Sequence, residues 1–401
     1  TMLVITLTLV VVVIFQTAQC KTGSCNLSLQ RDLSQNEPLV LTVNKDNLEW
    51  VMPEVIGNQG VISLETGKHL VIACPGSKNN VKANGEETAY IKCDRGSFKI
   101  GSKRVAEGGL RCTHSIADSE IWVSQLRCGS GIHKGTMIQL GYQVKEEWLP
   151  LVEVCHNISR GVTFYTYHPL PGHSIEGAVK SNLRGNFKIG PSELFPGISP
   201  NTLYTQKRQK EVFKKILGSN SYINGTSFLA KGHLSPDADF IFNSGQLLTY
   251  YYVNAAPQWQ KFNAGNWISV ENAVRRLSAQ VDDKLDVYTG TYGVLKLKNN
   301  KGLERMIYLE PTKKLVPVPE VFWKLVRHEG SNSCTVVVGY NNVFLTRPPS
   351  KVCAPVDPTG WPKLTDLRKG YIYYCDYHSF SETVTYVPQL KCKGLLEFPT
   401  L

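Results

Sequence analysis

The sequence predicts an α+β fold preceded by a smaller, disulfide-tied, β-rich module. From about residue 37 to 130, short apolar runs are broken by Gly and Asn and closed by cysteines, the rhythm of strands joined by turns. From about residue 137 amphipathic helical stretches join the strand candidates. The 401 residues, 42% hydrophobic and 10% aromatic, are too apolar for a disordered chain and long enough for two domains. The expected division is a leader over 1–20, a module of unassigned role over 21–136, and a larger unit over 137–401 with a cysteine-stapled tail.

Residues 2–15, MLVITLTLVVVVIF, carry no charge and run into Thr17-Ala18-Gln19-Cys20. That pattern is a secretory signal peptide rather than a membrane span, although no Lys or Arg precedes it. Cleavage after Cys20 leaves ten of the 11 cysteines, enough for five disulfides in an oxidising compartment, with the pairing left open. No Cys-x-x-Cys pair occurs, which argues against a zinc ribbon or a thioredoxin-like site. Sequons at Asn26, Asn157 and Asn224 fit a secreted glycoprotein. No other segment is long and apolar enough to cross a bilayer, so a secreted, extracellular protein without a membrane partner is expected.

Strand candidates are LVLTV (39–43), HLVIAC (69–74), AYIKC (89–93), SFKIG (97–101), IWVSQLRC (121–128), GVTFYTY (161–167), DVYTGTYGVLKLK (286–298) and TVVVGYNNVFL (335–345). KRQKEVFKKIL (207–217) is an amphipathic helix with Val212, Phe213 and Ile216 toward the core. The lone histidines His69, His114 and His133 fit structural or solvated positions. Lys plus Arg exceed Asp plus Glu by 44 − 33 = 11. That excess points to a polyanion without choosing among nucleic acid, sulfated glycan and acidic membrane surface.

The chemistry concentrates between 228 and 275. In Phe228-Leu229-Ala230-Lys231-Gly232-His233-Leu234-Ser235-Pro236-Asp237, glycine allows close backbone approach, lysine suits a phosphate oxygen, and histidine accepts protons near neutral pH. Asn254-Ala255-Ala256-Pro257-Gln258 follows, then Asn263-Ala264-Gly265-Asn266-Trp267 and Glu271. Pro257 fits the first turn of a helix, and Val270, Val274 and Leu277 repeat at helical spacing. At about 100° per residue, Asn263, Glu271 and Arg275 share one broad side, with Glu271 and Arg275 as i,i+4 partners. Asn263 is a poor helix former beside Gly265.

These spaced elements resemble the DNA/RNA non-specific endonuclease family, whose members carry a ββα-metal site. The matching parts are Gly232-His233, Asn254 to Gln258, Asn263 to Trp267, Glu271 and Arg275, and the resemblance covers roughly residues 137–390. Lys-Gly-His-Leu-Ser-Pro with Ala-Asp-Phe following is similar to the secreted arthropod branch, which includes gut double-stranded-RNA nucleases and salivary endonucleases. The resemblance implies a nuclease domain with a mixed sheet and flanking helices. His233 is then the general base, and Asn263 the protein ligand of one Mg²⁺, with Mn²⁺ as a possible substitute. Glu271 holds metal-bound water, Arg275 steadies phosphate or Glu271, and Asn254 and Gln258 order the site. Two positions depart from the pattern. Ala230-Lys231 stands where bacterial members have Asp-Arg, and Arg208 is the closest candidate for a further family arginine.

The expected activity is therefore secreted, Mg²⁺-dependent hydrolysis of DNA and RNA, double-stranded RNA included, leaving 5′-phosphate ends. The alternative is a secreted nucleic-acid-binding protein with residual or no cleavage. The stripe Lys207, Lys210 and Lys214, with Arg208 beside it, is the candidate backbone track. Strand preference and oligomeric state are not written in these motifs.

Overall fold

A computed structural model describes residues 23–116, 120–180 and 184–399, and the leader expected over 1–20 lies outside the described residues. The alternating runs of the first third form one antiparallel sheet. Its strands are β1 (Leu39–Asn44), β2 (Asn47–Trp50), β3 (His69–Ala73), β4 (Thr88–Asp94), β5 (Ser97–Ile100) and β6 (Lys103–Arg104), in the order β2-β1-β3-β4-β5-β6. Val40, Leu70, Ile72 and Ile91 are buried in one cluster with Leu27 and Ile62 of a separate three-stranded sheet. Disulfides Cys25–Cys93 and Cys74–Cys112 tie this small assembly together, supplying the restraint that a core of this size needs.

A ten-stranded sheet dominates the rest. Along it run β7 (Glu120–Ser130), β8 (His133–Val144), β9 (Glu147–Asn157) and β10 (Val162–Pro171). After them, β11 (Leu229–His233) and β12 (Ala255–Trp259) pair separately as a two-stranded ladder. The chain then returns to the large sheet as β13 (Lys284–Tyr292), β14 (Val321–His328), β15 (Ser333–Tyr340), β16 (Pro355–Val356) and β17 (Ile372–Cys375). Their order is β7-β8-β9-β10-β13-β14-β15-β17-β16, antiparallel throughout except where Gly394–Leu395 joins β15 in parallel. The boundary expected at 136/137 falls inside β8. Because β7 and β8 share one hydrogen-bonded ladder, both belong to the large sheet, whose first strand begins at Glu120, whereas the small sheet's last strand ends at Arg104.

The middle strands are apolar on both faces, as a sheet covered on both sides requires. Phe322 and Val326 of β14 join the core beneath the helices, while Trp323 and Leu325 face the tail. On the helix side lie α1 (Gln206–Leu217), α2 (Asn243–Leu248) and α3 (Ile268–Val281). On the other side, α4 (Tyr377–Thr383) and the tail are stapled by Cys334–Cys392 and Cys353–Cys375, with Cys128–Cys155 further along the sheet. The α1 helix matches its sequence signal. The Thr205 hydroxyl caps it by accepting from Arg208 N–H, Gly218 closes it at φ 73°, and Val212, Phe213 and Leu217 are buried.

The small sheet docks against the loop that follows Lys-Gly-His. Trp50 of β2 packs on Phe242 at 5.9 Å and on Tyr142 at 6.3 Å between ring centroids. The buried Glu37 carboxyl accepts from the Ser244 N–H at 3.0 Å, at the start of α2. Burial pushes that carboxyl up to about 8, against the two backbone donors.

Candidate functional site

Two strands and a helix present the motif residues. In the β11–β12 ladder Lys231 lies opposite Pro257, Gly232 opposite Ala256, and His233 opposite Ala255. Pro257 is thus a strand residue, not the first turn of a helix, and helical backbone begins at Gln260. The free edge of the pair tolerates it. Asn341 covers that edge, donating to Pro257 O at 3.0 Å and accepting from Trp259 N–H at 2.9 Å. A Cβ on Gly232 would collide with the Gln258 side chain, so glycine is what allows the glutamine to cross there. Gln258 is fully buried, and neither of its amide atoms has a partner among the described residues.

His233 ends β11 in an aromatic corner. Its ring lies 4.9 Å from that of Phe187 and 4.8 Å from that of Tyr250. Its Nε2 is buried without a hydrogen-bond partner among the described residues. Burial holds the imidazole down at about 4, with Arg184 and Lys231 adding to the effect and Asp237 opposing it. The neutral, proton-accepting ring is therefore the form present at pH 7. Lys231 directs its ammonium over Phe187 and Tyr252, at 5.0 and 5.5 Å from the ring centres. Asn254 fixes the loop beyond the histidine, donating to Ser235 O and Thr249 O at 2.8 Å each and accepting from Ser235 N–H at 2.9 Å.

Beneath this ledge the sheet contributes a polar floor. Thr166, Thr289 and Lys324 sit side by side on β10, β13 and β14, all fully buried. Lys324 Nζ donates to Thr289 Oγ1 at 2.5 Å. His168 donates from Nε2 to Asp239 at 2.9 Å, and its Nδ1 lies 2.9 Å from Ser235 Oγ. The other Asp239 oxygen accepts from Arg275 Nη1 at 2.6 Å. Burial acts to raise the Asp239 carboxyl, but the His168 hydrogen bond and the Arg275 charge outweigh it and hold it at about 2. The expected Glu271–Arg275 pair is not formed. The second guanidinium nitrogen of Arg275 reaches Asn272 at 2.6 Å instead, and the first is taken by buried Asp239. Burial pushes the Glu271 carboxyl up to about 7, opposed by the charge of Lys324.

Asn263 opens a kinked turn, Asn263–Trp267, between two helical segments, in which Gly265 leaves helical geometry at φ −106° and ψ −117°. The break means that a uniform 100° step does not carry from Asn263 to Glu271, and it sets Asn263 apart from the regular helix that follows. Asn266 secures the turn by donating to Gly370 O at 2.5 Å. The side chains of Asn263 and Glu271 make no hydrogen bond among the described residues, and no cluster of three His, Cys, Asp or Glu is present there. One amide oxygen and one carboxylate, both uncommitted, suit a hard cation that keeps most of its water.

Not every expected residue joins the site. Arg208 is paired with Glu310 at 3.2 Å and Glu211 at 3.5 Å on α1. Arg184, whose charge bears on His233, lies nearer the chemistry. Lys207, Lys210 and Lys214 are exposed on α1. The sequence motifs do not single out His168, Lys324, Arg184 or Phe187, and they contain Asp239 without giving it a role. One signal was available, since a lysine inside the apolar run VFWKLV of β14 is a buried charge in waiting.

The family model for DNA/RNA non-specific endonuclease matches residues 133–380. A salivary endonuclease of Lutzomyia longipalpis is 29% identical over 323 residues, 80% of this chain and 72% of that one. Salivary protein Tsal2A of Glossina morsitans morsitans is 25% identical over 388 residues, 94% of this chain and 95% of that one. The crystal structure of the EndoG/EndoGI complex aligns with a TM-score of 0.39 at 17% identity, over 61% of this chain and 87% of the other.

Proposed function

The chain belongs to the DNA/RNA non-specific endonuclease family, and from that premise we propose a secreted phosphodiester hydrolase in which His233 is the general base. The observation that carries this reading is the buried, unpartnered Nε2 of His233. A buried polar atom left unsatisfied has a cost, and here a substrate-side water would remove it. In the proposed step, His233 takes a proton from a water whose oxygen attacks phosphorus. The P–O3′ bond breaks, and the 3′ oxygen departs to be protonated by solvent. The products are then 5′-phosphate and 3′-hydroxyl ends on DNA and RNA alike, since no ribose 2′-hydroxyl takes part.

Asn263 and Glu271 would hold one Mg²⁺, Asn263 directly and Glu271 through water, with Mn²⁺ able to replace it. When bound, the ion supplies positive charge for the phosphate and the leaving oxygen. Arg275, tied to Asp239, and Arg184 supply fixed charge on the protein side. Asn254 keeps the loop in place, and Gln258 offers its unpartnered amide to the site. The disulfides and the salivary relatives support an extracellular setting.

Digestion of plasmid DNA and double-stranded RNA, with and without Mg²⁺, tests the reading. Cleavage in Mg²⁺ that leaves labelled 5′-phosphates, and that fails in chelator, is expected. Asn263→Ala should reproduce the chelator result. Cyclic 2′,3′-phosphates on RNA products, or full activity in chelator, would show a different enzyme. Retarded but uncut nucleic acid in Mg²⁺ would leave only a binding protein.

A further inference from the structure

The nuclease site leaves the small N-terminal sheet without a role, and its register carries an unusual arrangement of charge. His69 lies opposite Lys92, Lys92 opposite Lys99, and Lys99 opposite Arg104, across four neighbouring strands. Residues directly opposite share a face, about 5 Å apart, and like charges placed so are destabilising. Asp94 offsets one of them, bonding Lys99 at 2.5 Å. Lys92 and Arg104 have no ion-pair partner among the described residues. Tyr90, two residues before Lys92 and so on the same face, is 59% exposed.

The same face continues toward the catalytic unit. Tyr90 lies opposite Val71, Val71 opposite Leu41, and Leu41 opposite Trp50. Trp50 rests on Phe242 and lines, with Asp239 and Phe240, a cavity of about 460 Å³. One end of the face is therefore seated beside the loop that carries Asp239. The other end is open, basic and aromatic. At about 4.8 Å per strand, three spacings put Tyr90 roughly 14 Å from Trp50.

We infer that the β4–β6 face of the small sheet, with Lys92, Lys99, Arg104 and Tyr90, is a docking track for the sugar-phosphate backbone of duplex nucleic acid being fed to the nuclease. The inference rests on the nuclease reading for its choice of polyanion. Phosphates along the row relieve the mutual repulsion of the cations, and Tyr90 offers an apolar face with a hydroxyl donor beside them. The contacts are to backbone, so they add affinity without sequence preference.

The test uses the full chain carrying His233→Ala, so that duplex stays intact during binding measurements. In that background, replacing Lys92, Lys99 and Arg104 by Gln should flatten the slope of log affinity against log salt by about two to three units. In the cleavage-competent chain the same triple change should act through KM rather than kcat. Lys92→Glu guards against a folding artefact. It sets an acid opposite Lys99, so the sheet loses a repulsion and should melt no lower, while duplex affinity still drops. Unchanged slope and KM in both variants, in a protein that cuts duplex, would overturn the track and leave the nuclease standing. If the unmodified protein cuts nothing, the binding slopes still decide the track on their own. A loss of heparin binding with duplex binding intact would reassign the face to a sulfated glycan and also overturn it.

Discussion

Two histidines, one fully buried and one half-buried, live in opposite conditions. His168, on the floor, has both nitrogens engaged, one by Asp239 and one by Ser235. His233, on the ledge above, has aromatic walls and an Nε2 with nothing to bond among the described residues. The same division runs through the whole site. Below, Arg275 is bonded to Asp239 and Lys324 to Thr289; above, Gln258, Asn263 and Glu271 stand uncommitted. Saturated groups hold a geometry, and unsaturated ones wait for substrate, water or metal. The contrast explains why both layers are costly to build and why only one is expected to do chemistry.

The largest effect should come from the floor. Asp239→Asn removes the charge that holds Arg275 and faces buried Lys324, and unpairing a buried cation costs about 3–5 kcal/mol. Urea unfolding should register that loss, and turnover should fall with the folded fraction. A variant as stable as the parent would show that the floor is not a scaffold. Next in size is the ledge. His233→Ala should lower turnover at least about a hundredfold, the usual scale of a general-base loss, yet leave the unfolding midpoint and duplex affinity nearly unchanged. Near-normal turnover would remove His233 from the mechanism.

Acidification sharpens the contrast further. Burial depresses His233 to about 4, so the ring keeps its lone pair well below the usual histidine range near 6.5. The sign follows directly: activity is present above the folded-state value and is lost as pH falls through it. The acid limb of kcat/KM should accordingly lie near pH 4 to 5, not near 6.5. His156, depressed to about 4 by burial as well, binds its proton more readily when unfolded. Its contribution to stability is complete above about 6.5 and disappears as pH falls toward 4. Initial rates at short times separate the two effects. An inflection near 6.5 to 7 in such rates would mean that His233 is solvated during turnover or that Glu271, pushed up to about 7 by burial, sets the acid limb instead.

Local pattern made much of this legible, and tertiary distance hid the rest. Strand runs such as 69–74 and 89–93, the helix over 207–217 and the stripe Val270, Val274, Leu277 follow from periodicity, and the structure keeps them. The spaced motif elements fall on one ladder, the turn over Asn263–Trp267 and the helix after it, which is why pattern within short segments exposes them. Pro257 misled because an X-Pro-Gln sequence serves a strand edge as well as a helix start, and only the covering Asn341 distinguishes them. Helical spacing pairs Arg275 with Glu271, whereas its partner Asp239 lies 36 residues away. His168 and Lys324 reach the site from separate strands of the sheet, which no period within one segment reports.

The smallest expected effect repeats the contrast at the surface. On α1, Arg208 is held by Glu310 and Glu211, while Lys207, Lys210 and Lys214 are exposed, have no ion-pair partner among the described residues, and follow helical spacing. If lack of a partner marks a group that awaits substrate, these three lysines touch phosphate and Arg208 does not. Replacing the three by Gln should then flatten the salt dependence of duplex affinity by about two to three units, each contact releasing close to one counterion. The weakening should be alike for many sequences, with turnover at saturating substrate far less altered. Arg208→Gln should leave the slope alone and cost only the fraction of a kcal/mol typical of a half-exposed ion pair, about 0.2–1 kcal/mol. Should the triple change leave the slope untouched, the stripe faces bulk water. The contrast between paired and unpaired groups would then hold inside the site but not on this helix.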